Sequence, residues 1–383
     1  MKNPFVAYCG NYVAVADIAG KEIYIYNRTN STDIKKIEVV LPIVKIDIAE
    51  QGVVAVVLED TVSNQINIYD PYNISEQLLV SIPTNVETDG FPVDISISND
   101  GERLVTDFIN ISNGQAQTSI NFYNFDEVGK NNINRIVGAR DFEQTIVTKT
   151  TFLNNETVCA YTENGFSLYS MKEVPKDIYE ETFDKAIKSI FSNEEYVGIV
   201  LDNNKNIENY NNTTNTNKTK TTEEDIEKTE DVVETNDSKE AENTKKTEEK
   251  AKDTTETKAD KESTTENNIK KASNVEKIKT TTEQETKEKD NTKQEQYTLK
   301  IYNLKGKKVL DTNIDYKYDM VAMGKDEVIF YSNLECHILR VNGTEKFHYT
   351  FDNNIEYFLG SLSKERYYVV DNKEISKIKL TMK

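Results

Sequence analysis

The chain has 383 residues and a formal net charge of −19, from 66 acidic against 47 basic side chains. Phosphate binding needs clustered lysine and arginine to release counterions, so this balance speaks against nucleic acid and equally against docking on an anionic membrane through a basic patch. Three cysteines, Cys9, Cys159 and Cys336, form no CxxC pair, which argues against a disulfide framework or a zinc–thiolate site and leaves them to be read as small buried hydrophobes.

The first predicted strand is Phe5 to Cys9, and Met1 to Tyr8 contains no apolar core of a signal peptide. Nowhere does an apolar run approach the roughly 20 residues that span a bilayer. A second strand, Val13 to Asp17, turns through Ile18–Lys21 into Glu22–Asn27, which ends on the aromatic–polar step Tyr26-Asn27. That ending recurs in Ile66–Asp70, Ile120–Asn124, Phe166–Ser170 and Leu299–Asn303, with weaker copies at His337–Arg340 and Ser376–Lys379. From Tyr26 the marker steps are 43, 54 and 46 residues to Tyr169, and the last two steps, from Tyr302 to Leu339 and on to Ile378, are 37 and 39. Such spacing fits the roughly 40–50 residues of a four-stranded propeller blade.

The second unit shows the internal order. Val44–Ile48 alternates as an inner strand, and Gly52–Leu58 is an apolar run suited to burial between neighbouring blades. Thr61–Asn64 is the predicted turn, Gln65–Asp70 the marker strand and Gln77–Ile82 the outer strand; similar series start near Pro92, Thr145, Ala186, Tyr318 and Ile355. The predicted fold is therefore all-β, a propeller of about seven four-stranded units, with six to eight compatible. Ser98-Asn99-Asp100-Gly101 has hairpin-turn chemistry, with glycine supplying a positive φ. Its alternative reading as a calcium loop lacks a run of further carboxylates.

From Asn211 to Gln296 the composition changes: glycine, proline and aromatic residues are absent, and 23 acidic residues face 17 lysines. Such a segment cannot bury enough apolar surface to offset its ordering entropy, so disorder is expected. Good strands flank it, Glu195–Asp202 and Gln296–Asn303, and in other units the same two strands are joined by a short turn. The tract is thus read as an insertion in one hairpin of a single domain made of residues 1–210 and 297–383. Lengthening such a loop from about 4 to about 86 residues costs only roughly 2.7 kcal/mol of closure entropy. The last unit ends at its third strand, Ile375–Leu380, and the N-terminal segment offers no spare strand to complete it, so either the ring closes imperfectly or the chain begins too late.

Few residues qualify for chemistry. His337 and His348 are the two histidines, both in one late unit; Cys336 adjoins His337, so in a strand the two side chains point to opposite faces and cannot pair as nucleophile and base. Glu59-Asp60 and Glu194-Glu195 could serve as paired glycosidase carboxylates but sit at strand ends or turns, where solvated acids are expected. Accordingly no catalytic, cofactor-binding or metal-binding residue is assigned, and no cofactor is expected. The marker tyrosines are read as packing rather than as a binding stripe.

The pieces Pro4-Phe5-Val6 with Tyr12–Asp17, Gln51–Asp60, Ser98–Gly101, Asn121–Phe125 with Val128-Gly129, and Tyr297–Lys305 together resemble a bacterial β-propeller family of unknown function, WD40/YVTN-like, from anaerobic Gram-positive bacteria. Members of that family begin with a short basic segment and one membrane-spanning helix, followed by a further strand set. The resemblance therefore implies an extracytoplasmic, membrane-anchored propeller and an N-terminal truncation, with Met1 internal to a longer product or the gene shortened. The expected function is a non-catalytic scaffold, monomeric, for an unknown protein or cell-envelope ligand; the alternative is a propeller-fold hydrolase or lyase acting at the channel mouth.

Overall fold

A computed structural model describes residues 1–60, 63–112, 114–142, 145–207, 296–360 and 365–379. Its strands form seven antiparallel meanders. Blade 1 is β1 (Pro4–Cys9), β2 (Tyr12–Asp17), β3 (Glu22–Asn27) and β4 (Asn30–Glu38). Blade 2 is β5 (Ile43–Ile48), β6 (Val54–Glu59), β7 (Ser63–Tyr69) and β8 (Leu78–Asn85). Blade 3 is β9 (Phe91–Ile97), β10 (Arg103–Ser112), β11 (Gln115–Asn124) and β12 (Ile136–Phe142). Blade 4 is β13 (Val147–Phe152), β14 (Thr157–Thr162), β15 (Gly165–Ser170) and β16 (Lys176–Thr182). Blade 5 is β17 (Lys185–Ser192), β18 (Tyr196–Asn206), β19 (Tyr297–Asn303) and β20 (Lys308–Ile314). Blade 6 is β21 (Met320–Met323), β22 (Glu327–Tyr331), β23 (Glu335–Arg340) and β24 (Glu345–Thr350). Blade 7 has three strands among the described residues, β25 (Ile355–Gly360), β26 (Arg366–Asp371) and β27 (Ile375–Lys379). The protein is a seven-bladed all-β propeller.

The second strands β6, β18 and β22 read as nearly continuous apolar sequence because both of their faces are covered. In β6, Val54, Val56 and Leu58 enter the core shared with blade 1, while Ala55 and Val57 enter the core shared with blade 3. Full burial of one such side chain stabilises by about 1.5–3 kcal/mol, so these strands carry much of the hydrophobic term. The predicted turn at Thr61–Asn64 is shorter than expected, since Ser63 and Asn64 already pair with Asn85 and Thr84 in the β7–β8 ladder.

The marker repeat has two physical parts. Its tyrosine packs against the preceding blade: Tyr69 lies in the blade 1–2 core, Tyr123 in the 2–3 core, Tyr169 in the 3–4 core and Tyr302 in the 4–5 core. The following Asn or Asp side chain accepts a backbone N–H two residues on, an Asx turn that starts the path to the outer strand. Thr29 N donates to Asn27, Tyr72 N to Asp70, Asp126 N to Asn124 and Lys305 N to Asn303, at 2.9–3.0 Å.

Turns at one end of the blades are stitched to one another. Glu50 N donates to Asn99 O at 2.8 Å, and Asp100 N to Asn155 Oδ1 at 3.0 Å. Asn154 Nδ2 reaches Glu194 O, and Asn193 Nδ2 donates to Gly324 O at 2.7 Å. The stitching thus runs from blade 2 to blade 6.

β18 and β19 pair in register from Tyr196↔Asn303 to Asp202↔Tyr297, and Asn203 N donates to Gln296 O at 3.0 Å. The chain therefore leaves and re-enters one hairpin, although residues 208–295, and with them the expectation of disorder for 211–296, lie outside the described residues. Replacing 208–295 by a short Asn-Gly turn is expected to leave a single cooperative urea transition at equal or higher midpoint, because loop closure then costs less. Loss of cooperative unfolding would show that the tract is needed for the fold.

Six buried apolar clusters join blades 1–2, 2–3, 3–4, 4–5, 5–6 and 6–7. Among the described residues no such cluster joins blade 7 to blade 1. The marker tyrosines register this: Tyr26, whose preceding neighbour would be blade 7, is 39% exposed, whereas Tyr69, Tyr123, Tyr169 and Tyr302 are 8%, 1%, 5% and 1% exposed. Tyr26 departs in this from the expected packing role.

Candidate functional site

Three regions of the fold hold polar or apolar groups that packing alone leaves unpaired. The first is the outer hairpin of blade 6. Glu335 and His337 are two residues apart on β23 and so share a face, and His348 on β24 lies directly opposite His337. Glu335 Oε1 is 2.5 Å from His348 Nε2 and 3.4 Å from His337 Nε2. The two imidazoles stack at 4.0 Å between ring centres, and Tyr316 stacks on the far side of His337 at 3.8 Å. His337 is buried, and its Nε2 has no hydrogen-bond partner, because the contact with Glu335 falls outside hydrogen-bonding geometry. Burial and the neighbouring His348 push the His337 imidazolium below its ordinary pKa, against the opposing pull of Glu335 and Glu345.

Cys336 points the other way, into the blade 6–7 core, and burial raises its thiol to about 12, so it is no nucleophile for either histidine. Cys159 is likewise buried, with its thiol pushed up. Cys9 departs from the expected buried state: it is only partly covered, its Sγ lies 3.5 Å from Asn99 Oδ1, and burial with the charges of Glu50, Asp47 and Glu194 raises it to about 12.

The second region follows the innermost strands of blades 2 to 4. Asp47 accepts from Ile97 N at 2.9 Å and Ser96 Oγ at 3.1 Å, Ser96 Oγ accepts from Phe152 N at 3.0 Å, and Asp94 accepts from Thr150 N at 3.2 Å. Each side chain thus caps a backbone donor on the next blade. Lys45 pairs with Asp94 at 3.0 Å. Asp47 retains some accessible surface but is enclosed by protein, which raises it to about 6 against the lowering effect of its backbone donors. Asp107, opposite Asp94 in the β9–β10 ladder, is fully buried and neither carboxylate oxygen has a hydrogen-bond partner. Burial raises it well above the carboxylate range; Thr150 opposes this, Asp94 adds to it and Lys45 acts against it. Asp47→Ala is expected to cost about 1–3 kcal/mol in urea unfolding by orphaning the Ile97 N–H; an unchanged midpoint would show that this inter-blade cap contributes nothing.

The acidic pairs sit at strand ends or turns, as their sequence places them. Glu59 ends β6 in blade 2, and Glu194-Glu195 lies in the β17–β18 turn of blade 5, all with exposed side chains. The Asp100 carboxylate of the Ser98–Gly101 turn is taken up by Ser98 Oγ at 2.6 Å and Arg103 Nη1 at 3.0 Å, and Gly101 has φ +75°. These contacts are those of a hairpin turn.

The third region is the pair of faces at the blade 7–blade 1 seam that no described residue covers. On blade 1, register aligns Tyr8, Val13 and Tyr26 in one row and Val6, Val15 and Tyr24 in the next. On blade 7, the rows are Tyr357, Val370, Ile375 and Leu359, Tyr368, Lys377. Val6, Tyr8, Tyr26, Tyr357, Leu359 and Ile375 are exposed. Nothing among the described residues pairs with the outer edge of β27.

Fold and sites together define a β-propeller in which, among the described residues, one inter-blade joint has no buried apolar core. A family model described as a family of unknown function, DUF5711, matches residues 1–288 and 250–380, and the chain belongs to that family. No curated protein matches it. Similar solved structures include dihydro-heme d1 dehydrogenase NirN in complex with DHE, at 9% identity and TM-score 0.49, covering 98% of this chain and 63% of that one. Another is the β-propeller domain of the Trilobed protease from Pyrococcus furiosus, described as having an open velcro topology, at 10% identity, TM-score 0.46 and coverage of 100% and 96%. A third is the Neurospora crassa Pan2 WD40 domain, at 8% identity, TM-score 0.44 and coverage of 98% and 87%.

Proposed function

We propose that the protein is a non-catalytic, monomeric interaction scaffold that takes a protein partner at the seam between blades 1 and 7. The observation that supports this reading is the pair of facing apolar surfaces, each built from two cross-strand rows, in a fold whose other six joints are buried cores. Contiguous exposed apolar patches of this kind mark interaction sites. The partner that fits is a sheet-forming segment with alternating apolar side chains, because such a segment can cover both faces and extend the outer edge of β27, which no described strand pairs. An extracytoplasmic, membrane-anchored parent protein belongs to the same proposal and is supported by the family resemblance; among the described residues no helix is long and apolar enough to cross a membrane.

The reading is tested by placing a photo-reactive amino acid at Tyr8 or Tyr357 in cells that make the protein, with Lys130 as an exposed control away from the seam. A discrete heavier protein adduct from both seam positions, absent from the control, is expected. Equal adduct patterns at all three positions, or none at the seam, would overturn the proposal.

A further inference from the structure

The geometry points to a divalent transition-metal site formed by Glu335, His337 and His348 on the outer hairpin of blade 6, with Zn²⁺ as the ion. Two imidazole nitrogens and one carboxylate oxygen are a donor set that zinc accepts together with a water in the fourth position. Harder cations such as calcium and magnesium take oxygen ligands instead. All three ligand atoms lie within 4.8 Å of one another.

The three side chains are brought together by backbone pairing, not by flexible loops. His337↔His348 and Glu335↔Thr350 are fixed ladder positions, so the ligands project from one face of a single hairpin. With metal–ligand bonds of about 2.0–2.1 Å, adjacent donors in a tetrahedral shell stand about 3.3 Å apart. The His337–Glu335 separation, 3.4 Å, already matches this. The His348–Glu335 contact at 2.5 Å must open by less than an ångström or so, and the rings must fan out of their stack. Both adjustments fall on the half-buried Glu335 and the exposed His348, whereas the buried His337 ring is held in plane by Tyr316.

His337 supplies the independent reason for a ligand. Its Nε2 is buried without a hydrogen-bond partner, a state that costs free energy in a finished core and that a coordinate bond would relieve. The open side of the cluster, toward the half-buried Glu335 and the exposed His348, leaves room for the water that completes the shell.

Titration of the full-length chain with ZnCl₂ by calorimetry, and with Co²⁺ by visible absorption, tests the site. A single class of tight binding is expected, with a tetrahedral Co²⁺ spectrum. His348→Ala and the conservative Glu335→Gln should each weaken binding by more than about 100-fold, beyond the usual cost of losing an outer partner. Zn²⁺ should also raise the melting temperature of the parent chain and leave that of His348→Ala unchanged. Absence of binding to the parent chain, or equal affinity in the parent and both variants, would overturn the assignment, the latter by placing the ion elsewhere on this acidic protein.

Discussion

Truncating Phe122 to alanine is expected to lower the unfolding free energy by about 3–5 kcal/mol, while the same truncation of Tyr8 changes it by less than about 0.5 kcal/mol. Both are large aromatic side chains on blade sheets, and the difference lies in what covers them. Phe122 is fully buried in the blade 3–4 core, edge-on to Tyr169 with ring centres 5.4 Å apart. Its removal strips that contact and leaves a cavity the surrounding strands cannot close. Tyr8 is 77% exposed on the seam face of blade 1. Urea denaturation of the two variants checks the pair. A Tyr8→Ala cost approaching that of Phe122→Ala would mean that blade 7 packs on blade 1 after all.

Asp107→Asn is expected to make the protein more stable at neutral pH and to flatten its pH dependence. Burial raises the folded-state pKa of Asp107 above its unfolded value. The folded state therefore binds a proton that the unfolded state releases, so Asp107 contributes stability below the unfolded carboxylate pKa of about 3.9 that is lost as pH rises through the folded value. Asparagine carries no such proton. The stability difference between variant and parent should thus widen from about pH 4 upward, by at most about 1.4 kcal/mol per pH unit, and then level off. Asp47, raised to about 6, acts in the same direction in both proteins and cancels in the comparison. Urea midpoints measured across that pH range decide the matter. A difference independent of pH would show Asp107 to be solvated or paired.

The architecture was legible because blade strands obey local rules. The period of the marker strand, the apolar run at Val54–Leu58 and the Ser98–Gly101 turn each reflect short-range chemistry, and each sits where its pattern placed it. Asn27, Asp70, Asn124 and Asn303 recur because an Asx turn needs a short polar acceptor at that point. The inter-blade capping by Asp47, Ser96 and Asp94 was not legible, since it depends on which blade faces which and in what stagger.

The histidine cluster was half legible. Asn342-Gly343 is a hairpin signal midway between His337 and His348, and a register shift at Ile338/Leu339 brings the two into direct cross-strand pairing. Glu335, two residues before His337, then shares their face by the period of a strand. Considering the histidines only against Cys336 missed this, because the relevant neighbours lay across the turn and one pleat away. The repeat groups Tyr26 with the other marker tyrosines as packing. Its exposure depends on the joint between the two ends of the ring, for which the repeat itself carries no local signal.

Thiol labelling across the seam is the most direct test of the uncovered joint. In a Cys9→Ser background, Tyr8→Cys and Tyr357→Cys are each treated with a maleimide in the isolated, folded chain, with the buried Cys159 and Cys336 as internal standards. An uncovered seam predicts that both introduced thiols react as fast as in urea-unfolded protein while the two native thiols stay protected. Protection of the introduced thiols, or a spontaneous disulfide between positions 8 and 357 in the double variant, would show that the ring closes on itself and leaves no face for a partner.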